Sequence, residues 1–124
     1  YYRHRRLMRE LSNAIMSTRN ELLDSGHWRS TIILTTSEFG RRMMENKSRG
    51  TDHGTAAPHF IIGGDVKGGL YSDAPDLQNL GRNEDIGSTM DYRAVYNAII
   101  ENYFGVNSKF RPYRDSRLEG LFKI

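Results

Sequence analysis

Residues 31–36 read Thr-Ile-Ile-Leu-Thr-Thr, and Ser37-Glu38-Phe39-Gly40 follows them directly. The apolar residues of this stretch occupy odd and even positions alike, which predicts a short strand buried on both faces, as in a parallel sheet. Phe60-Ile61-Ile62, which ends at Gly63-Gly64, predicts a second strand of the same kind. The polar stretch between the two strands, up to Gly50, has no periodicity and is interpreted as a long loop.

One amphipathic helix is predicted on each side of these strands. Apolar residues recur at three- and four-residue steps over residues 5–23, and Gly26 suits the position just past a helix end. A second apolar and aromatic stripe covers residues 92–103, and Ser88 with Asp91 has the spacing of a capping box, so we expect a helix that begins after Ser88 and buries this stripe. The order helix, strand, loop, strand, loop, helix predicts an α/β fold, with functional groups on loops at strand ends.

The composition excludes several classes of protein. The chain has 124 residues, enough for one small domain. No apolar run is long enough to cross a bilayer, so we expect no membrane span. The absence of cysteine excludes disulfide scaffolds, zinc fingers, iron–sulfur sites and thiol nucleophiles. A net charge of +3 favours anionic partners, but the basic start of the first helix is the usual solvated face, and we expect no nucleic-acid partner.

Two short strands do not form a stable sheet by themselves. The chain also begins at Tyr1 rather than at a methionine, which suggests a fragment or a processed product. We therefore expect residues 1–124 to be a single segment of a larger domain. The remainder of the same polypeptide, or another chain, would cover the apolar faces of the strands.

The densest group of chemically capable residues is Gly50-Thr51-Asp52-His53-Gly54, with His59 six residues further on and Glu38 at the end of the first strand. Carboxylates and imidazoles on strand-end loops can ligate a divalent metal ion. The residues alone leave a plainer interpretation open, in which Asp52 caps a turn, His53 lies at the surface and Glu38 is a solvated strand-end residue.

Two other motifs bear on anion binding. Arg41 follows Gly40, and its guanidinium could take a pair of phosphate or sulfate oxygens or simply be exposed charge. The glycine-rich residues 63–69 have neither the spacing of a P-loop nor that of a dinucleotide-binding loop, and we interpret them as a turn. No serine lies in a Gly-x-Ser-x-Gly elbow, so no nucleophile is evident.

Three motifs in order resemble the C-terminal part of a bacterial family catalogued as domain of unknown function 1501. They are Thr36-Ser37-Glu38-Phe39-Gly40-Arg41, Gly50-Thr51-Asp52-His53-Gly54 and Gly63-Gly64-Asp65-Val66-Lys67-Gly68-Gly69, and the resemblance runs over residues 20–104. That family is placed in the alkaline phosphatase and sulfatase superfamily. The resemblance therefore implies the C-terminal portion of an alkaline-phosphatase-like α/β/α sandwich, with residues 1–124 an incomplete part of one domain.

The resemblance also implies a site. Glu38 stands where the acidic metal ligand would lie and His53 where a later histidine ligand would lie, with Asp52 as a further ligand or an orienting residue. Arg41 would contact the anion. The metal would be zinc, calcium, magnesium or manganese. Phe39 takes the place of a paired histidine, which favours a one-metal or altered site. In an alternative superposition, Asp52 and His53 take the Asp-His role.

The function implied by the resemblance is that of a metal-dependent phosphatase- or sulfatase-like hydrolase, with a small phosphate or sulfate ester as substrate. This segment alone is expected to be inactive, because such enzymes carry the nucleophile in their N-terminal part. Many members look exported, which implies a periplasmic or cell-surface location. The alternative is a non-catalytic member that binds an anionic polymer or a partner protein, and the replacement of a ligand by Phe39 motivates it.

Overall fold

The computed structural model describes residues 2–81 and 83–123. Over these residues the chain mixes helices with short antiparallel strands, which confirms the predicted α/β class in this general sense. The elements are α1 (Tyr2–Asp24), β1 (Ile32–Leu34), β2 (Gly40–Glu45), β3 (Thr51–Gly54), β4 (Ile61–Gly63) and α2 (Tyr92–Ala98), with π-helical turns at Ile99–Tyr103 and 3-10 turns at Trp28–Ser30, Arg111–Tyr113 and Ser116–Leu118. The wider α/β/α sandwich stays a prediction from the resemblance.

Helix α1 ends as its sequence predicts. Gly26 has a φ of +77°, the left-handed conformation that glycine adopts at little cost. The Gly26 N–H donates to the Leu23 carbonyl and the His27 N–H to the Leu22 carbonyl, which is the Schellman arrangement. No residue of α1 is buried, and among the described elements the helix contacts the turn Trp28–Ser30.

Strands β1 and β4 pair with each other in an antiparallel register. Ile33 lies opposite Ile62, so the prediction of strands inside a parallel sheet is wrong for this pair. All six residues are half-buried rather than buried, because the two-stranded ribbon packs one face on the core. His59 Nδ1 donates to the Thr35 carbonyl over 2.8 Å, and the Phe60 N–H donates to Thr35 Oγ1 over 2.7 Å, which ties the end of β1 to the start of β4.

The stretch interpreted as a long loop contains a β-hairpin, so that prediction is wrong. Strands β2 and β3 pair antiparallel, and the connection between them is closed by Asn46. Asn46 Oδ1 accepts from the Ser48 and Gly50 N–H groups, an Asx turn that substitutes for a backbone turn. Six of the ten residues of the two strands are exposed, so the hairpin has little of the apolar alternation by which a strand is recognised.

Helix α2 begins at Tyr92, later than predicted, because Asp91 rather than Ser88 caps it. The Asp91 carboxylate accepts from the Arg93 N–H over 2.9 Å. The predicted stripe is confirmed in part: Ile99 is buried and Val95 and Tyr103 pack against the core, whereas Tyr92 is 58% exposed. Small side chains complete the buried face and allow close packing on the C-terminal segment; the buried residues of α2 and the following turn are Ala94, Asn97, Ala98 and Ile99.

The most deeply buried side chains come from the C-terminal segment. Leu118, Leu121 and Phe122 pack against α2 and against the inner face of β1 and β4. The same segment runs antiparallel to the glycine-rich turn: the Lys67 N–H donates to the Leu121 carbonyl, and the Lys123 N–H donates to the Asp65 carbonyl, both over 2.8 Å. The glycine-rich residues are therefore a turn held by the chain end, in agreement with the sequence interpretation.

Candidate functional site

The hairpin brings Arg41 and His53 together. These two residues are direct cross-strand partners, so their side chains leave the same face of the ribbon. The hairpin is fixed next to residue 56 by close backbone contact: a Cβ placed on Gly40 would lie 1.9 Å from the Ala56 carbonyl oxygen. Glycine at position 40 is therefore needed for β2 to start where it does.

Phe39 supports both of these side chains. The His53 ring stacks on the Phe39 ring with centroids 3.5 Å apart and planes 14° from parallel. The Arg41 Cζ lies 5.0 Å from the centroid of the same ring, within the range of cation–π attraction. Arg41 Nη1 also donates to the Thr51 carbonyl over 2.7 Å, which leaves the other guanidinium N–H groups available. Arg41 and His53 are both exposed.

Asp52 belongs to the opposite face of the hairpin. It precedes His53 in β3, and successive strand residues project to opposite sides. Asp52 Oδ1 accepts from Asn46 Nδ2 over 2.8 Å, and the carboxylate borders an open depression of about 430 Å³ that Arg42, Lys47 and Ser48 also line. In this arrangement the Asp52 and His53 side chains do not converge on one point.

Arg42 differs from Arg41 in being neutralised by an acidic partner. Its Nε donates to Asp85 Oδ1 over 2.8 Å. That hydrogen bond, together with the charge of Asp85, raises the pKa of Arg42 above its ordinary value. No such carboxylate pairs with Arg41 within residues 2–81 and 83–123.

The remaining predicted ligand, Glu38, is exposed in the bend between β1 and β2. His59 uses Nδ1 for the bond to Thr35 and so has a structural role at the end of the β1–β4 ribbon. Across the described part of the chain, no three side chains of the metal-ligating types gather as a metal site would need. As a set, Glu38, Asp52 and His53 do not fit one ion in this arrangement, and their assignment as ligands stays a prediction.

Sequence reasoning found Arg41 and His53 but missed that they are neighbours. It also treated Phe39 only as a lost ligand, although its ring is the surface on which the other two side chains lie. The missing signal was the strand pairing. The two glycines that end the hairpin, Gly40 and Gly54, are themselves paired, and recognising them as such would have placed Arg41 opposite His53.

None of the helices in the described part of the chain has the length and apolar character needed to span a membrane. No curated protein and no solved structure matches the sequence. One family model does match, over residues 1–106, and it carries the description "Protein of unknown function (DUF1501)". This match covers most of the chain and includes all three motifs on which the resemblance was based. The chain therefore belongs to the DUF1501 family.

Proposed function

We propose that the face of the hairpin formed by Phe39, Arg41 and His53 binds the phosphate or sulfate group of an anionic ligand. The observation that supports this proposal is the cross-strand pairing of an exposed guanidinium with an exposed imidazole on one aromatic ring. A guanidinium matches a pair of phosphate or sulfate oxygens with two parallel N–H groups. The imidazole adds a further N–H donor from the facing strand.

The surroundings of these residues favour an anion. Residues 40–54 contain four basic side chains, Arg41, Arg42, Lys47 and Arg49, against the two acidic side chains Glu45 and Asp52. Asp52 lies on the other face, hydrogen-bonded to Asn46, and Arg42 is paired with Asp85. Acidic side chains therefore neutralise less of the positive charge on the face with Arg41 than on the opposite face, and an approaching anion is attracted to the Arg41 face.

Binding of this kind serves both functions that the sequence suggests. In a phosphatase- or sulfatase-like hydrolase, Arg41 and His53 would hold the ester group and offset the negative charge that develops on its oxygens. In a non-catalytic family member, the same contacts would hold an anionic polymer. Membership of the alkaline phosphatase and sulfatase superfamily, metal-dependent hydrolysis and an exported location all stay predictions.

Calorimetric titration with inorganic sulfate, inorganic phosphate and a sulfated polysaccharide tests the proposal. Because hydrogen bonds to charged groups contribute about 1.5–3 kcal/mol, Arg41→Ala should weaken binding by about tenfold or more. His53→Ala should weaken it as well. Lys47→Ala is the matched control, since it removes one exposed positive charge from the same hairpin but not from this face. Equal losses of affinity in Arg41→Ala and Lys47→Ala would show that binding depends on net charge and not on the position of Arg41, and would overturn the proposed site.

The two roles are separated in the longer polypeptide that the resemblance implies, because this segment alone is expected to be inactive. That polypeptide and its Arg41→Ala variant are assayed with a chromogenic phosphate ester and a chromogenic sulfate ester, with and without added divalent metal. Metal-dependent product release that is lost in Arg41→Ala would support hydrolysis. Binding of the polymer without release of product would support the non-catalytic role.

A further inference from the structure

Helix α1 has a continuous apolar face that the described elements leave open, apart from the contact of the helix with the turn Trp28–Ser30. At 100° per residue the face spans about 120° of the helix. None of its residues is buried, and Leu11, near its centre, is 44% exposed. A helix gains most of its stability from packing of its apolar face, so we expect this face to pack against a partner surface. The apolar face consists of Leu7, Met8, Leu11, Ala14, Ile15, Thr18 and Leu22.

The spacing along this face is that of a helix–helix seam. The steps between residues alternate between three and four, which keeps a narrow strip facing a second helix. No charged residue interrupts the strip, and arginine and glutamate side chains lie only outside it. The strip consists of Met8, Leu11, Ile15, Thr18 and Leu22.

The charges of α1 are unequally divided between its two halves. The first half contains four arginines and one glutamate, whereas the second half contains one arginine, one glutamate and one aspartate. Two parallel copies would place the basic ends side by side. Two antiparallel copies would place each basic half against a mildly acidic half, with Arg3 near Glu21 and Asp24, and would also oppose the helix dipoles.

We infer that α1 is a self-association helix, through which two copies of this chain pair in antiparallel orientation with Leu11 of each copy opposite Ile15 of the other. The arrangement has two-fold symmetry, so one surface serves both copies. The contact is small, since α1 is only about 35 Å long at 1.5 Å per residue. Arg5 and Arg19 would also approach each other on one flank. For both reasons we expect a weak dimer that forms at high protein concentration.

Sedimentation velocity of the 124-residue chain, from about 10 μM to about 1 mM, tests the association. Leu11→Lys should raise the dissociation constant at least tenfold. Met16→Lys is the matched control: it introduces the same charge at a similarly exposed position, 49% against 44%, outside the strip, and should leave the dimer intact. Circular dichroism verifies that both variants keep the helix. A chain that stays monomeric over the whole range, or a dimer that both variants weaken equally, would overturn the inference.

Pulsed electron spin resonance tests the orientation. The chain has no cysteine, so spin labels can be attached at Asn13→Cys, near the centre of α1, or at Arg6→Cys, one heptad earlier on the same outer face. An antiparallel pair predicts a shorter label-to-label distance at position 13 than at position 6. Equal distances would indicate a parallel pair and contradict the inference.

Binding to phosphatidylglycerol vesicles tests the other occupant of the apolar face, a lipid surface. A chain that stays monomeric, binds these vesicles and loses that binding in Leu11→Lys would overturn the inference and assign the face to a lipid surface.

Discussion

Arg41 and His53 lie directly opposite each other on β2 and β3, and both rest on the ring of Phe39. Strand pairing fixes the separation of the two side chains, and the aromatic ring limits their rotation. An exposed arginine ordinarily loses considerable side-chain entropy when it binds a ligand. Arg41 has lost part of that freedom already, through its bond to the Thr51 carbonyl and its contact with Phe39. The face is therefore partly preorganised for the anion that we propose it binds.

Phe39→Leu tests this preorganisation. The substitution keeps both charged side chains but removes the flat ring, so Arg41 and His53 become more mobile. We expect sulfate binding to weaken by about three- to tenfold, in line with a cation–π and stacking contribution of about 0.5–1.5 kcal/mol. Phe60→Leu, at a residue 59% exposed at the start of β4, is the control and should leave binding unchanged. Unchanged affinity in Phe39→Leu would show that the ring does not prepare the site.

Gly40→Ala tests the placement of the hairpin. The added Cβ would meet backbone atoms of Ala56, a carbonyl oxygen at 1.9 Å among them, and backbone cannot rotate away as a side chain can. We expect a loss of about 2 kcal/mol or more in the free energy of unfolding, or a displaced β2 and the loss of anion binding. Gly68→Ala, where a Cβ meets nothing within 4 Å, should change stability by less than about 0.5 kcal/mol. Urea unfolding measures both.

The sequence predicted those elements that have a regular apolar pattern. The strands at residues 32–34 and 61–63 were found within a few residues of their bounds because they contact the core, and helix α1 was found because apolar side chains recur along one face, although none of them is buried. The hairpin was missed because β2 and β3 are largely exposed and polar, so they have no such pattern. The start of α2 was misplaced because two residues, Ser88 and Asp91, both suit a helix cap, and only the contact with Arg93 decides between them.

The sequence likewise predicted the residues of the candidate site but not their arrangement. Residue types in the motifs sufficed to single out Arg41, Asp52 and His53. Their grouping depends on strand register, since a strand places neighbours such as Asp52 and His53 on opposite faces and distant residues such as Arg41 and His53 on the same one. No register can be deduced from a stretch that has been interpreted as a loop.

Glu101 gives a pH dependence to stability. Its carboxylate accepts from Arg114 Nη2 over 2.8 Å and lies 3.3 Å from Arg111 Nε. The hydrogen bond from Arg114 is the largest cause that lowers the pKa of Glu101 in the folded chain, against the opposing effect of desolvation. The Glu101 carboxylate therefore takes up a proton more readily in the unfolded chain than in the folded chain. Ionised Glu101 contributes its full stabilisation of the folded chain above the ordinary pKa of 4.5, and this stabilisation is lost as the pH falls through the lower pKa of the folded chain.

Urea unfolding of the parent chain and Glu101→Gln at pH 7 and pH 3 checks this dependence. The variant should be less stable than the parent at pH 7, and the difference should shrink at pH 3 as the parent carboxylate takes up its proton. Asp91 and Asp115 also have lowered pKa values through their arginine partners, but they are present in both proteins and cancel in the comparison. A difference that is the same at both pH values would exclude an electrostatic role for Glu101.

Leu121→Ala tests whether the C-terminal segment holds the fold together. Leu121 is 1% exposed and belongs to the cluster that joins α2 to the β1–β4 ribbon, so its truncation leaves a cavity among side chains that cannot fully collapse. We expect a loss of about 2–5 kcal/mol in the free energy of unfolding. Leu70→Ala removes the same atoms from a side chain that is 99% exposed and should cost less than about 0.5 kcal/mol. Leu121 lies beyond residues 1–106, the range of the family match, so a large loss would show that the folding unit extends past that range. Equal small losses in both variants would mean that the matched residues form their core without the segment.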